Sequence, residues 1–255
     1  MNIRRAIGIS LLLGAALTAS TGQAQAVRAY DSTFLTNYEL LKPRTSRDGK
    51  TTDMAYFAPE AMQKLSGYKA VMIDQPAIYF SPDSPVKGMQ PDDQKALAEH
   101  VREMLSAGLT EGGYTIAQQP GPDVLFVRVA LTDVMVKKKK RGALAYLPIG
   151  AVLKLAADAV RETLSKVDFI EMTFQGELVD SVSTDVLGAL VAPRGTRKAE
   201  GQKETRIDID EFDQNVRAWS HRLRCQLDNS KLAADQQVDC TDDAANSARY
   251  EAKKS

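Results

Sequence analysis

The chain has 255 residues, enough for one sizeable hydrophobic core, and nothing in this length requires a second domain. Its 33 basic residues balance 33 acidic ones, so the sequence has no overall attraction to nucleic acid and no nucleic-acid partner is expected. Two histidines and two cysteines also leave few residues for a metal centre.

Residues 1–26 have the pattern of a cleavable signal peptide. Arg4 and Arg5 form a short basic segment, an apolar run covers about residues 6–17, and Ala24-Gln25-Ala26 fits the small-x-small pattern that a signal peptidase cleaves. The run is shorter than the roughly 20 residues that cross a bilayer, and an uncleaved anchor is the alternative. We therefore predict cleavage after Ala26 and a periplasmic protein, with association to the membrane left open.

Residues 27–59 are expected to form a weakly structured N-terminal arm. Apolar residues are sparse in this range, and the stretch from Pro43 to Asp53 is mostly polar. Its few apolar side chains, such as Phe34 and Leu35, would attach the arm to a main domain at residues 60–230.

The first half of the main domain has the pattern of a strand, a helix and a second strand. An apolar run predicts a buried strand over about residues 68–80, with Pro76 causing a bulge or an edge. Pro91 then begins a helix whose apolar residues recur at helical spacing. Residues 124–136 alternate between apolar and polar, which predicts a strand with one face in the core.

The second half predicts a helix, a hairpin and a last helix. We expect a helix over about residues 151–165, hairpin strands near residues 170–178 and 186–191, and a last helix beginning near Asp208. A polar C-terminal tail, residues 231–255, is expected to fray. This order favours one α+β domain, in which a mixed β-sheet has helices packed mainly on one face.

Several strand and turn motifs resemble those of a known bacterial family. They are Ser32-x-Phe34-Leu35-x-x-Tyr38-x-x-Leu41-x-Pro43, the run from Tyr68 to Asp74 followed by Ser81-Pro82, Gln119-Pro120-Gly121-Pro122, and Glu177-Leu178-Val179-Asp180-Ser181 with Leu187. The chain is similar, over about residues 32–227, to the family of domain of unknown function 3313. Many members look like lipoproteins, whereas this chain has no cysteine near the predicted cleavage site. The resemblance implies a fold and an envelope location, and no activity.

The two cysteines, Cys225 and Cys240, are expected to form a disulfide. Neighbouring cysteines usually pair in an oxidising compartment, which is where the signal peptide would send the chain. The alternative is a reactive thiol or a pair of metal ligands, but no CxxC motif or histidine cluster accompanies them.

The sequence contains no pattern typical of a catalytic or cofactor site. His100 and His221 lie on predicted helices and are interpreted as surface or boundary residues. Ser220 and His221 point about 100° apart on a helix, so they do not form a nucleophile–base pair. The carboxylates of Asp92-Asp93 and Asp208-x-Asp210-Glu211 stand where helices begin, so capping explains them without chemistry. We expect no catalytic residue, no metal and no cofactor.

One local feature is the basic run formed by Lys137, Lys138, Lys139, Lys140 and Arg141, which an apolar segment follows. Adjacent cations repel one another, so the run is expected in solvent. It is either a solvated loop that ends a strand or a contact to anionic lipid headgroups, which attract basic residues near a charged surface.

These patterns favour an exported envelope protein that is non-enzymatic and has a binding, structural or accessory role. Its partner would be another envelope protein or the anionic membrane surface, and the sequence predicts no particular oligomeric state. The alternative is a periplasmic hydrolase whose site is assembled from scattered Asp, Glu and Ser residues, a kind of site that leaves little trace in one sequence.

Overall fold

A computed structural model describes residues 32–45, 52–84, 91–138, 161, 164–195 and 206–251. The predicted signal peptide, most of the predicted helix at 151–165, and Lys139, Lys140 and Arg141 lie outside the described residues.

The described residues form eight strands and four α-helices. The strands are β1 (Lys42–Thr45), β2 (Thr52–Phe57), β3 (Ala70–Ile73), β4 (Ala77–Phe80), β5 (Thr115–Ile116), β6 (Val124–Lys138), β7 (Val167–Asp180) and β8 (Val186–Gly195). The helices are α1 (Ala61–Leu65), α2 (Pro91–Thr110), α3 (Ile209–Asn229) and α4 (Asp243–Glu251). Short 3-10 helices cover Tyr38–Leu40 and Ala234–Gln236.

All eight strands belong to one mixed sheet, in the order β1-β2-β8-β7-β6-β3-β5, and β4 also pairs with β6. The pairs β1–β2, β2–β8, β8–β7 and β7–β6 are antiparallel. The other edge of β6 pairs in parallel with β3 and β4, and β3 pairs in parallel with β5. Together with the helices, this sheet confirms the predicted α+β class with a single domain.

The predicted strand at 68–80 is two short strands, β3 and β4, which lie one after the other along the same edge of β6. Pairing stops after Asp74, whose backbone N–H still donates to the carbonyl of Val127 at 2.9 Å, and it resumes at Ala77. Proline has no N–H to donate to a ladder, so the expected irregularity at Pro76 takes the form of a complete break.

Helices α2 and α3 pack on one face of the sheet, where their apolar stripes join the main core. The side chains of Phe212 and Trp219 on α3 stack on Phe169 and Phe174 of β7, with ring centroids 4.7 and 4.0 Å apart. Asp208 caps α3 by accepting the backbone N–H of Glu211. The predicted stripe of the last helix is therefore core.

The N-terminal arm is more ordered than the sequence indicated, because β1 and β2 extend the sheet within residues 27–59. Leu35 and Leu41 are buried against Ala189 and Val191 of β8, on the face opposite α3. The sequence signal for these strands is weak because all four β1 residues are exposed and β2 pairs with β8, which is remote in sequence.

The C-terminal tail also differs from the frayed segment that its polar composition predicted. Helix α4 lies against α3, and Tyr250 is buried beside the disulfide that joins Cys225 to Cys240, whose Cα atoms are 5.6 Å apart. The side chain of Asn229 holds the connecting loop by bonding to both the N–H and the carbonyl of Val238. These are tertiary contacts that a composition argument does not detect.

Candidate functional site

An apolar pocket lies between α3 and the helix-facing side of strands β2, β7 and β8. Its volume is about 110 Å³. Its walls are mainly aliphatic and aromatic side chains, including Ala55, Phe57, Ile73, Leu105, Val127, Val129, Phe174, Leu178, Leu190, Trp219 and Leu223. Its polar lining residues are Arg44, Asp53, Glu177, Arg222, Gln226 and Thr241.

The pocket exists because small residues occupy wall positions of the sheet. Gly176 of β7 lies between Phe174 and Leu178 on the same face and adds no side chain of its own to this wall. A Cβ atom at Gly176 would stand 3.2 Å from the Phe174 ring. Ala55 leaves a similar gap on β2, and α3 spans the resulting hollow without filling it.

The pocket wall includes the single tryptophan of the chain, Trp219. Its ring stacks on Phe174, and the guanidinium of Arg194 lies 6.0 Å above the same ring. Such a stacked and buried pair holds the wall in one geometry.

The polar edge of the pocket, which we call the rim, consists of Arg44, Asp53, Arg222, Gln226 and Thr241. Asp53 is buried and accepts hydrogen bonds from Arg194, at 2.8 Å, and from Arg222. Arg44 is exposed and stands opposite Asp53 in the β1–β2 ladder. Among the described residues, the rim therefore contains two arginines and one carboxylate.

Two carboxylates border the pocket, and both are already engaged. The fully buried Glu177 accepts from Arg128 at 2.6 Å and from the backbone N–H of Thr36 at 2.9 Å. Asp53 is held by two arginines. Both carboxylates of the lining are therefore already occupied by hydrogen bonds to arginine side chains.

His100 joins the two large helices. Its Nε2 atom lies 2.7 Å from the buried carboxylate of Asp213 on α3, which also accepts from Arg161. The position of His100, with 11% of its side chain exposed, agrees with the predicted boundary location.

The prediction for His221 is wrong, because this residue is buried rather than at the surface. Its Nδ1 atom is 3.2 Å from the hydroxyl of Ser247, and its ring packs against Tyr250 of α4. The neighbouring Ser220 points away and donates to the carbonyl of Leu105. Helix α4, which the sequence analysis did not foresee, is what covers His221.

The carboxylates at the start of α2 and α3 have different surroundings. Asp208 is a helix cap, as predicted, whereas Asp93 is buried, and its burial raises the pKa of its carboxyl group. In the parts of the chain that the structure covers, no cluster of His, Cys, Asp and Glu could hold a metal ion. Within those same parts, no helix has the length and apolar character needed to span a membrane.

The basic run begins at the end of β6. Lys137 is exposed and stands opposite Asp168 in the β6–β7 ladder, and Lys138 is the last residue of the strand. The exposure of Lys137 agrees with the solvent location expected for the run. Of its other residues, the structure describes only the backbone of Lys138.

The pocket was not predicted from the sequence, although one residue signals it. A glycine inside a strand often marks a close approach or an open space, and Gly176 interrupts an otherwise alternating β7. The prediction that Trp219 lies in the core is confirmed. Its neighbour Phe174 on β7 comes near Arg44 on β1 only because β2 pairs with β8.

No curated protein matches the chain. Among solved structures, it resembles a single-substitution variant of the PelC dodecamer of Paraburkholderia phytofirmans, at 12% identity and a TM-score of 0.28 over 56% of this chain and 77% of the other. It also resembles a PDZ domain protein of Parabacteroides distasonis at 12% identity and a TM-score of 0.26, over 59% of this chain and 31% of the other. Scores this low carry no functional argument. A family model described as "Protein of unknown function (DUF3313)" matches residues 30–223, and the chain therefore belongs to this family.

Proposed function

We propose that the protein is an exported, non-enzymatic envelope protein that binds an apolar or amphipathic molecule in the pocket under α3. The observation that supports this most directly is the apolar lining of a pocket of about 110 Å³. Binding sites for small molecules are typically concave and apolar, with a few polar groups at fixed positions.

The lining favours an apolar ligand because several of its side chains are only partly buried. Phe57, Leu178, Leu190 and Leu223 all line the pocket and all keep part of their surface exposed. Each would gain free energy by covering that surface, at about 25 cal/mol per Å². A cavity of comparable size, about 150 Å³, binds benzene in another protein, so the space suits a ring or the end of a hydrocarbon chain.

The charged groups at the pocket support binding rather than catalysis. Asp53 and Glu177 each accept hydrogen bonds from arginine side chains, so the oxygens of both carboxylates are already engaged within the protein. We therefore favour a binding role over the alternative of a hydrolase built from scattered carboxylates and serines.

The signal-peptide pattern at residues 1–26 supports a location in the envelope, with cleavage after Ala26. Fractionation of cells that make the full chain should find the protein in the periplasm or at the membrane, beginning at Val27. A protein that stays in the cytoplasm with residues 1–26 attached would contradict this part of the proposal.

The binding role is tested with the neutral fluorescent probe N-phenyl-1-naphthylamine. The wild-type protein should enhance the probe's fluorescence in a saturable way. Ala55→Leu places a larger side chain in the pocket and should weaken binding by about tenfold. The matched control is Ala107→Leu, on the exposed side of α2, which should bind like wild type.

Two results would overturn the proposal. If wild type and a folded Ala55→Leu variant bind the probe equally, the pocket is not the binding site and the proposal fails. Turnover of a generic esterase, phosphatase or glycosidase substrate that is lost in Asp53→Asn would replace binding with hydrolysis.

A further inference from the structure

We infer that the ligand of the pocket is a single-chain amphiphile with an anionic headgroup, and that Arg44 contacts this headgroup. The inference rests on the proposed function, because it specifies the chemistry of the molecule that the pocket would hold. It is carried by the distribution of charge at the rim and by the shape of the apolar walls.

Among the described residues, the rim has more arginines than carboxylates. Asp53 accepts from both Arg194 and Arg222, whereas Arg44, which lines the same pocket, stands opposite Asp53 in the β1–β2 ladder. The other carboxylate of the lining, Glu177, is matched by its own partner, Arg128. An anion placed at the rim would compensate the remaining positive charge, whereas a cation would be repelled.

Two of these arginines act from a largely buried position. The side chains of Arg194 and Arg222 are 11% and 12% exposed, so their charge is weakly screened by solvent. Because both already share Asp53, they contribute mainly to the local potential. They are not expected to move toward the ligand.

Arg44 differs from them because it is available for direct contact. It is exposed on the edge strand β1, and in the described part of the chain no carboxylate pairs with it. A planar guanidinium can donate two parallel hydrogen bonds to a carboxylate or phosphate. Arg44 is therefore the group best placed to hold a headgroup at the rim.

The walls determine where the tail lies. The lining next to the rim is mainly apolar and includes the stacked rings of Trp219 and Phe174, so a hydrocarbon chain that enters past Arg44 would contact these rings. A volume of about 110 Å³ accommodates part of one hydrocarbon chain and is too small for two chains side by side. The tail should therefore change the environment of the only tryptophan in the protein.

The experiment titrates the protein with three ligands that share a ten-carbon chain, at concentrations below micelle formation, and follows Trp219 fluorescence. The ligands are decanoate, decanol and decyltrimethylammonium. Decanoate should bind about tenfold more tightly than decanol, and decyltrimethylammonium more weakly than both. Arg44→Gln should weaken decanoate about fivefold and leave decanol unchanged.

The control variant is Arg217→Gln, which removes an exposed positive charge from α3 outside the pocket lining and should bind decanoate like wild type. Equal affinity for decanoate and decanol, or equal loss in the two arginine variants, would overturn the inference while the apolar pocket stands. If isothermal calorimetry also detects no binding of any of the three ligands, the proposed function fails as well.

Discussion

The hydroxyl of Tyr38 donates a hydrogen bond to the side-chain oxygen of Gln175, and so joins the N-terminal arm to the middle of β7. The same hydroxyl accepts the backbone N–H groups of Phe34 and Leu35, each at 3.0 Å. Gln175 is fully buried and donates in turn to Thr132 of β6 at 2.9 Å. One phenolic oxygen therefore connects the arm to two central strands.

Replacing Tyr38 with Phe should destabilise the protein by about 1–3 kcal/mol, because it leaves the buried oxygen of Gln175 and two backbone N–H groups without this partner. Urea unfolding at neutral pH measures the change. Tyr79→Phe is the matched control, since Tyr79 is 44% exposed and its replacement should change stability little. Equal unfolding midpoints for the two variants would show that the arm adds nothing to stability.

Asp180, which precedes the β7–β8 turn, predicts a pH dependence. Its carboxylate accepts the N–H groups of Val182 and Ser183 and the hydroxyl of Tyr68. The bonds from Ser183 and Tyr68 are the main cause that lowers the pKa of Asp180 to about 2. Because the folded pKa is below the unfolded value of about 3.9, this stabilisation is complete above pH 4 and is lost as the pH falls toward 2.

We therefore expect Asp180→Asn to cost about 1 kcal/mol at pH 7, a value reduced for the solvent exposure of the turn, and progressively less below pH 4. Unfolding in urea at several pH values provides the measurement. Asp235→Asn, in an exposed part of the C-terminal loop, is the control. A destabilisation by Asp180→Asn that is independent of pH would contradict the proposed role of the ionised carboxylate.

The disulfide between Cys225 and Cys240 closes a loop with a sequence separation of 15 residues. In the chain-entropy model a loop of this size contributes about 3 kcal/mol. Replacing both cysteines with Ser should lower the free energy of unfolding by about this amount and free α4 from α3, which limited proteolysis would detect. Protein recovered from the periplasm with two free thiols would refute the expectation that the bond forms there.

The basic run from Lys137 to Arg141 is the basis of a separate prediction about membranes. The mature protein should co-sediment weakly with anionic vesicles at low salt, and less at 0.15 M salt, where screening acts over about 8 Å. Changing Lys137–Lys140 to Ser should abolish the binding. Equal binding to neutral and anionic vesicles, or no loss in this variant, would exclude the run as a membrane contact.

Local patterns predicted the elements whose partners are close in sequence or whose periodicity is strong. The stripe of α3, its cap at Asp208 and the alternation of β6 were all visible because each depends on near neighbours. Strand β1 carried no such signal, since Lys42-Pro43-Arg44-Thr45 shows no apolar alternation, is exposed throughout and pairs only with β2.

The pocket could not be predicted for a related reason. Its walls come from β2, β7, β8 and α3, and each wall residue has the composition of an ordinary core. Two of its wall positions hold small residues, Ala55 and Gly176, which stand on either side of Leu190 in the folded sheet. The rim charge was equally hidden, because Asp53 and Arg222 are 169 positions apart and meet only in the tertiary structure.

The pairing of β2 with β8 also determines when the sheet can be completed during synthesis. Strand β2 ends at Phe57, and β8 begins about 130 residues later at Val186. At a synthesis rate of about 5–20 residues per second, roughly 6–26 seconds pass between the synthesis of β2 and that of β8. The apolar side chains of Met54, Tyr56 and Phe57 cannot pack against β8 in that time. During that interval β2 offers an open edge to any other strand, so the nascent chain should depend on a holding chaperone until β8 has emerged.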